Sequence, residues 1–145
     1  MAKPPTQQAR VARQSVGRQV GRQVGRRTID RQSIGRNAEE RAVQLMRQAG
    51  CEIVARNYRC RSGEIDIIAR RERMLIFAEV RLRSGLAFGG AAASITATKR
   101  ARIVRATRYW LARRPQLARL SVRFDALLLA GPAGAIEWIE DAFYA

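Results

Sequence analysis

Two runs hold the residues whose types and spacing suit chemistry: Gly63-Glu64-Ile65-Asp66-Ile67-Ile68-Ala69 and Ile76-Phe77-Ala78-Glu79-Val80-Arg81-Leu82-Arg83. Both read as strands, in which side chains alternate between faces. Glu64 and Asp66 then share a face opposite Ile65 and Ile67, and Glu79, Arg81 and Arg83 share one opposite Ala78, Val80 and Leu82. If Arg71–Arg73 form a turn and Arg70 pairs with Leu75, Asp66 faces Glu79 and Glu64 faces Arg81. Directly opposed residues lie about 4.5–5.5 Å apart at Cβ, where like charges repel. Two acids so placed need a shared proton, a cation or nearby arginines. One reading is a solvated salt-bridge cluster in which Arg81 and Arg83 neutralise Glu64, Asp66 and Glu79. The other is a Mg²⁺ or Mn²⁺ site with Asp66 and Glu79 as ligands and Arg81 holding positive charge beside a phosphate, suited to metal-assisted phosphodiester hydrolysis.

Composition narrows the chemistry. The 145 residues carry 28 basic and 12 acidic side chains, a net charge of +16 that favours a polyanionic partner, nucleic acid or an anionic surface. Histidine is absent, which excludes Ser-His-Asp and Cys-His catalysis and His-ligated zinc or haem. Cys51 and Cys60 are too few for a zinc cage or a disulfide scaffold and read as reduced thiols, so neither zinc nor haem is expected. No apolar run reaches the roughly 18–20 residues of a membrane span, and no signal-peptide core follows Met1. The expectation is a cytoplasmic protein with no membrane partner. All basic residues but Lys3 and Lys99 are arginines, a skew that a GC-rich coding bias also produces, so the charge carries the argument rather than the choice of arginine.

The elements that must position these residues follow from patterning. Residues 1–36 hold nine basic side chains and one acid, repeat RQSVGR as RQSIGR, and place Gly17, Gly21 and Gly25 four apart. Glycine inside a helix costs about 1 kcal/mol relative to alanine, and low hydrophobicity with high charge predicts a disordered basic arm. A transit peptide and an overlong predicted start of the coding region are the alternatives. Residues 37–145 form the expected domain. Asn37 as N-cap and Gly50 as stop frame a helix over 38–49, with Ala38, Ala42, Leu45, Met46 and Ala49 on one face. Strands are predicted at 51–56, 64–70 and 74–83, followed by a loop with Gly85, Gly89 and Gly90 and a helix over 97–113. Strands at 122–129 and 136–140 join around Gly131-Pro132. The order α-β-β-β-α-β-β predicts an α/β fold, a mixed sheet flanked by helices.

GEIDIIA at 63–69, IFAEVRLR at 76–83, FGGAAASIT at 88–96, RFDALLL at 123–129 and IEWIEDAF at 136–143 occur in an order and spacing that closely resemble the YraN family of small bacterial proteins. The resemblance spans residues 35–145 and leaves the basic arm outside. It implies the restriction-endonuclease-like fold shared with archaeal Holliday-junction resolvases and the catalytic domain of tRNA-splicing endonuclease. The superfamily's core motif is an acid on one strand and acid-x-lysine on the next. By position, Asp66 is the first acid, Glu79 the second, the Val80 carbonyl a backbone ligand and Arg81 the residue at the lysine place. Glu39 matches an acid that resolvase-like members add, and Glu64 belongs to the GEID motif. Arginine stays protonated in proteins, so Arg81 can hold a phosphate but cannot act as a general base.

The second helix supplies the remaining basic surface. Ile103, Val104, Trp110 and Leu111 fall in one arc with Thr107, and Arg102, Arg105, Arg108 and Tyr109 in the opposite one, with Arg113 nearby. No acid lies between Ala97 and Arg119 to pair with these arginines. They read either as a solvated charged face or as phosphate contacts, the latter joined by Lys99 and Arg83, which lie closest in sequence to the acid cluster. Trp110 and Trp138 read as packing. Arg123 and Asp125 form a structural ion pair or support the site. Taken together, these residues predict a nucleic-acid-binding protein of nuclease fold, acting with Mg²⁺ or Mn²⁺ on branched DNA or structured RNA, with a homodimer as the resolvase-like assembly. The alternatives are a non-catalytic nucleic-acid-binding protein and a ribonucleoprotein assembly partner.

Overall fold

A computed structural model describes residues 31–82, 95–131 and 133–145. The elements follow the order α1 (Arg31–Gln48), β1 (Glu52–Cys60), β2 (Gly63–Arg71), β3 (Met74–Leu82), α2 (Ala97–Ala112), β4 (Ser121–Leu129) and β5 (Ile136–Phe143). The five strands form one mixed sheet in the order β1-β2-β3-β4-β5. All pairings are antiparallel except β3–β4, which is parallel and bridged by α2. This is the α/β architecture and element order expected from patterning. Among the described residues, no helix is long and apolar enough to cross a membrane.

Two apolar clusters cover the two faces of the sheet. Ala38, Ala42, Val43, Leu45 and Met46 of α1 pack on Ile67, Ala69, Ile76, Ala78, Leu127 and Leu129. Ile103, Ala106 and Trp110 of α2 pack on Ile68, Leu75, Phe77, Phe124 and Leu128 from the other side. The central parallel pair is buried on both faces, which is why LIFA and ALLL run apolar without alternation. Trp110 is core, as expected, with its ring edge-on to Phe77 at 5.7 Å between centroids. Trp138 is buried in the α1-side cluster.

Two details differ from the expectation. Helix α1 begins at Arg31, so Asn37 lies inside the helix rather than capping it, and the helix runs through the boundary placed at 36. Gly35 is accommodated because Ala38, Ala42 and Val43 further along anchor the helix on the sheet. Strand β1 extends to Cys60 and joins β2 through a tight turn, with Cys60 opposite Gly63. Its polar stretch Arg56-Asn57-Tyr58-Arg59 hides the strand because β1 is an edge, where charged residues are at home. Residues 1–30 and the glycine-rich loop with Arg83 lie outside the described residues.

The hairpin register is the predicted one, with Arg70 opposite Leu75 and Arg71 opposite Met74. Glu72 takes a left-handed φ of 55° in the two-residue turn.

A carboxylate pair in a forked sheet

The ladder between β2 and β3 ends at Ile67–Ala78. Beyond it, β2 stays with β1 as far as Cys60–Gly63, and β3 stays with β4 as far as Leu82–Leu129. The sheet therefore forks. Asp66 and Glu79, the next residues along, stand at the base of the fork instead of forming a ladder pair. The Val80 N–H donates to Oδ2 of Asp66 at 2.8 Å, so a side chain occupies the place of the missing rung. N–H and C=O of one strand residue point to the same edge, so the Val80 carbonyl faces the fork as well.

Strict alternation fails here. Ile67 packs in the α1-side cluster while Ile65 packs in the α2-side cluster. Across from this break, Asn57 of β1 adopts a left-handed φ of 51°. Asparagine tolerates that conformation better than most residues, and a local kink of this sort re-aims side chains. Glu64 consequently sits with β1. It pairs with Arg59 at 3.2 Å rather than facing Arg81 across a β2–β3 ladder.

Glu79 is 5% exposed and its Oε1 lies 3.1 Å from Nζ of Lys99. Lys99 comes from the first turn of α2, whose N-cap Thr96 accepts from the Lys99 N–H at 3.1 Å. A cation in the first turn opposes the helix dipole, so the buried Glu79 carboxylate is what holds the ammonium there. Gly63 lets α2 come this close. A Cβ on it would lie 3.0 Å from both the Cβ and the carbonyl oxygen of Arg102.

Asp66 and Glu79 are within hydrogen-bonding reach of each other, and burial, reinforced by the Glu79 charge, pushes Asp66 up to about 7. Two ionised carboxylates cannot donate to one another, and Oε2 of Glu79 is buried with no hydrogen-bond partner. The pair thus calls for a shared proton or a cation. The donor set suits a hard divalent ion: two carboxylates, one of them with a buried oxygen that has no donor, and a backbone carbonyl directed at the fork.

The other expected site residues are distributed as follows. Glu39 stands half-buried on α1, the helix that covers the sheet face opposite α2. Among the described residues, no third Asp, Glu or Cys joins a pair to make a metal-holding group of three. Arg81 is half-buried on β3, opposite Leu128 of β4. Asp125 is fully buried on the α1 side and saturated. It accepts two bonds of 2.8 Å from Arg123, one of 2.8 Å from Trp138 Nε1, and one of 3.0 Å from the Asp141 N–H. Between the two roles open for Asp125, the geometry selects the structural ion pair. Arg102, Arg105, Arg108 and Tyr109 are all exposed on α2, as the helical arc predicts. Cys51 and Cys60 are free thiols.

Pattern reading missed that Lys99 is the ion partner of Glu79. A signal was available: Lys99 is the one lysine in a domain otherwise supplied with arginines. Its ammonium is a compact point charge on a flexible stem, unlike the planar guanidinium fork.

These features define an α/β protein with a five-stranded mixed sheet that carries a pair of adjacent carboxylates at a strand fork. The chain belongs to UPF0102, described as an uncharacterised protein family, whose pattern matches residues 38–129. It is 49% identical over 115 residues to a UPF0102 protein of Cupriavidus taiwanensis, covering 78% of this chain and 84% of that one. A UPF0102 protein of Saccharophagus degradans is 47% identical over 109 residues, 75% of this chain and 91% of the relative. One from Legionella pneumophila is 39% identical over 112 residues, 77% and 95%.

Proposed function

We propose that this protein binds nucleic acid and hydrolyses its phosphodiester bonds with the help of Mg²⁺ or Mn²⁺, on branched DNA or structured RNA. The observation that carries the reading is the Asp66–Glu79 pair, with Oε2 of Glu79 buried and lacking a donor beside Lys99. A divalent cation bound there supplies a Lewis acid for the phosphate and a water of lowered pKa. Asp66, Glu79 and the Val80 carbonyl hold the cation. The Val80 N–H fixes the orientation of the Asp66 carboxylate, leaving its other oxygen for the ligand. Lys99 brings an ammonium to the Glu79 side of the site, the kind of charge that Arg81 at the acid-x-lysine position does not supply. Arg81, on the same strand, steadies negative charge as it develops on a phosphate in this reading. The exposed arginines of α2 engage the backbone without reading sequence.

A second reading is supported by Arg81 itself: binding retained without cutting, since arginine cannot accept a proton. Cleavage of branched DNA and structured RNA in Mg²⁺ and in Mn²⁺ separates the two. Cutting by the wild type that disappears in the Asp66→Ala, Glu79→Ala double variant supports hydrolysis. Salt-sensitive binding by a wild type that cuts nothing in either metal overturns it in favour of the binding module.

A further inference from the structure

A cavity of about 450 Å³ opens beside the carboxylate pair, lined by Arg59, Cys60, Gly63, Glu64, Lys99 and Arg102. We propose that it is a phosphate-binding subsite, which seats the backbone phosphate next to the one presented to Asp66 and Glu79.

Charge supports the assignment. Three cations and one carboxylate line the space; Glu64 offsets Arg59 and Glu79 offsets Lys99, so Arg102 supplies the net positive charge, in a cleft whose low-dielectric walls concentrate its field. The single acid, Glu64, holds Arg59 at 3.2 Å, which restrains a side chain that is 77% exposed. Arg102 projects from α2 into solvent at the cavity wall. Two guanidinium groups and an ammonium can surround a phosphate with charge-assisted hydrogen bonds.

Position supports it as well. Lys99 is the shared wall, lining the cavity while its Nζ lies 3.1 Å from Glu79. A strand with one phosphate at the carboxylate pair therefore has the cavity alongside for the next. Gly63 sets the depth: with no Cβ, it allows the Arg102 backbone to close down on the start of β2. The adjacency to a reacting phosphate rests on the proposed hydrolysis. The phosphate site itself does not.

Two measurements on the full chain keep these separate. In the first, inorganic phosphate and a 5′-phosphorylated dinucleotide are titrated into ¹⁵N-labelled protein without metal. Saturable shifts are expected at Gly63, Lys99 and Arg102, with affinity lowered about tenfold or more in Arg59→Ala, Arg102→Ala, the loss of charge-assisted bonds. Arg47→Ala, Arg73→Ala, at exposed positions away from α2 and the cavity, serves as the control of equal charge. Shifts spread along the Arg105–Arg108 face, equal losses in both double variants, or no saturation would overturn the subsite. In the second, one backbone phosphate at a time is replaced by a neutral methylphosphonate in a cleaved strand. A single flanking position should slow wild-type cleavage and add nothing in Arg102→Ala. An equal effect in both proteins would overturn the placement beside the pair. A wild type that never cuts defeats the hydrolytic reading, and the titration then decides the subsite alone.

Discussion

Asp66 takes the place of a sheet rung: its Oδ2 accepts the Val80 N–H at 2.8 Å where the β2–β3 ladder has ended. One oxygen of the carboxylate is thereby committed to holding the fork, and the acid is fixed beside Glu79 whether or not anything is bound.

Stability should fall as pH rises from the ordinary aspartate range toward neutrality. Asp66 is pushed up to about 7 from 3.8, first by burial and then by Glu79. Between those values the folded protein retains a proton that the unfolded chain releases. The unfolding free energy therefore declines with rising pH across that window. The contribution is fully present below the unfolded pKa and is lost as pH passes the folded one. Urea midpoints measured from acidic to mildly alkaline pH should slope downward in the wild type and flatten in Asp66→Asn. Equal slopes in the two proteins would remove the coupling from the account.

Protons and divalent cations should compete for the pair. Mn²⁺ is expected to raise the melting temperature of the wild type more at mildly alkaline than at mildly acidic pH, because binding requires the deprotonated carboxylates. Glu79→Gln should lose the effect. A thermal shift that ignores both pH and the substitution would place the ion elsewhere.

Gly63→Ala should loosen the seat of α2. The added Cβ meets Arg102 atoms at 3.0 Å, including a backbone oxygen that has little room to yield. Overpacking of this sort costs about 1–3 kcal/mol, and the displacement carries Lys99 away from Glu79. Chemical denaturation measures the first effect. Mn²⁺ affinity in Gly63→Ala and Lys99→Ala measures the second, with both expected to change in the same direction.

Asp125 should matter for folding and not for the site. Removing it leaves the buried Arg123 guanidinium without its bidentate partner, and breaking such a pair costs about 3–5 kcal/mol. Asp125→Ala is expected to melt much earlier than wild type. Arg123→Met, Asp125→Leu should recover part of the loss, since an apolar pair leaves no charge stranded. Metal affinity at a temperature where the variant is folded should be unchanged.

The exposed arginines of α2 should act through salt. Replacing Arg105 and Arg108 by glutamine is expected to reduce the slope of log affinity against log salt by about one for each phosphate no longer neutralised, uniformly across sequences. Unchanged slopes would return that face to the role of a solvated surface.

Much of this site was legible from composition and local pattern. The alternation in IFAEV, the polar Arg71–Arg73 turn and the Arg70–Leu75 register follow from short-range rules and bring Asp66 and Glu79 to the same place, although the alternation expected in GEIDIIA breaks between Ile65 and Ile67. The arc of arginines on α2 follows from helical period alone. Edge strand β1 was harder, because an edge tolerates the charges that elsewhere signal a loop. The partner of Glu79 was illegible along the chain: Lys99 is 20 positions away, and only the packing of α2 against Gly63 brings it within 3.1 Å.

The chain's own residues determined which groups are available: no histidine, a large positive surplus, two acids on neighbouring strands, and one lysine among the domain's arginines. Tertiary structure decided which of them meet. It opened the fork, saturated Asp125 on the far face, left Glu39 on the opposite helix, and set Lys99 against a buried carboxylate. Hydrogen-bonding and periodicity rules act over a few residues, whereas desolvation and charge pairing depend on what lies across the sheet, so the first can be read along the chain and the second only in three dimensions.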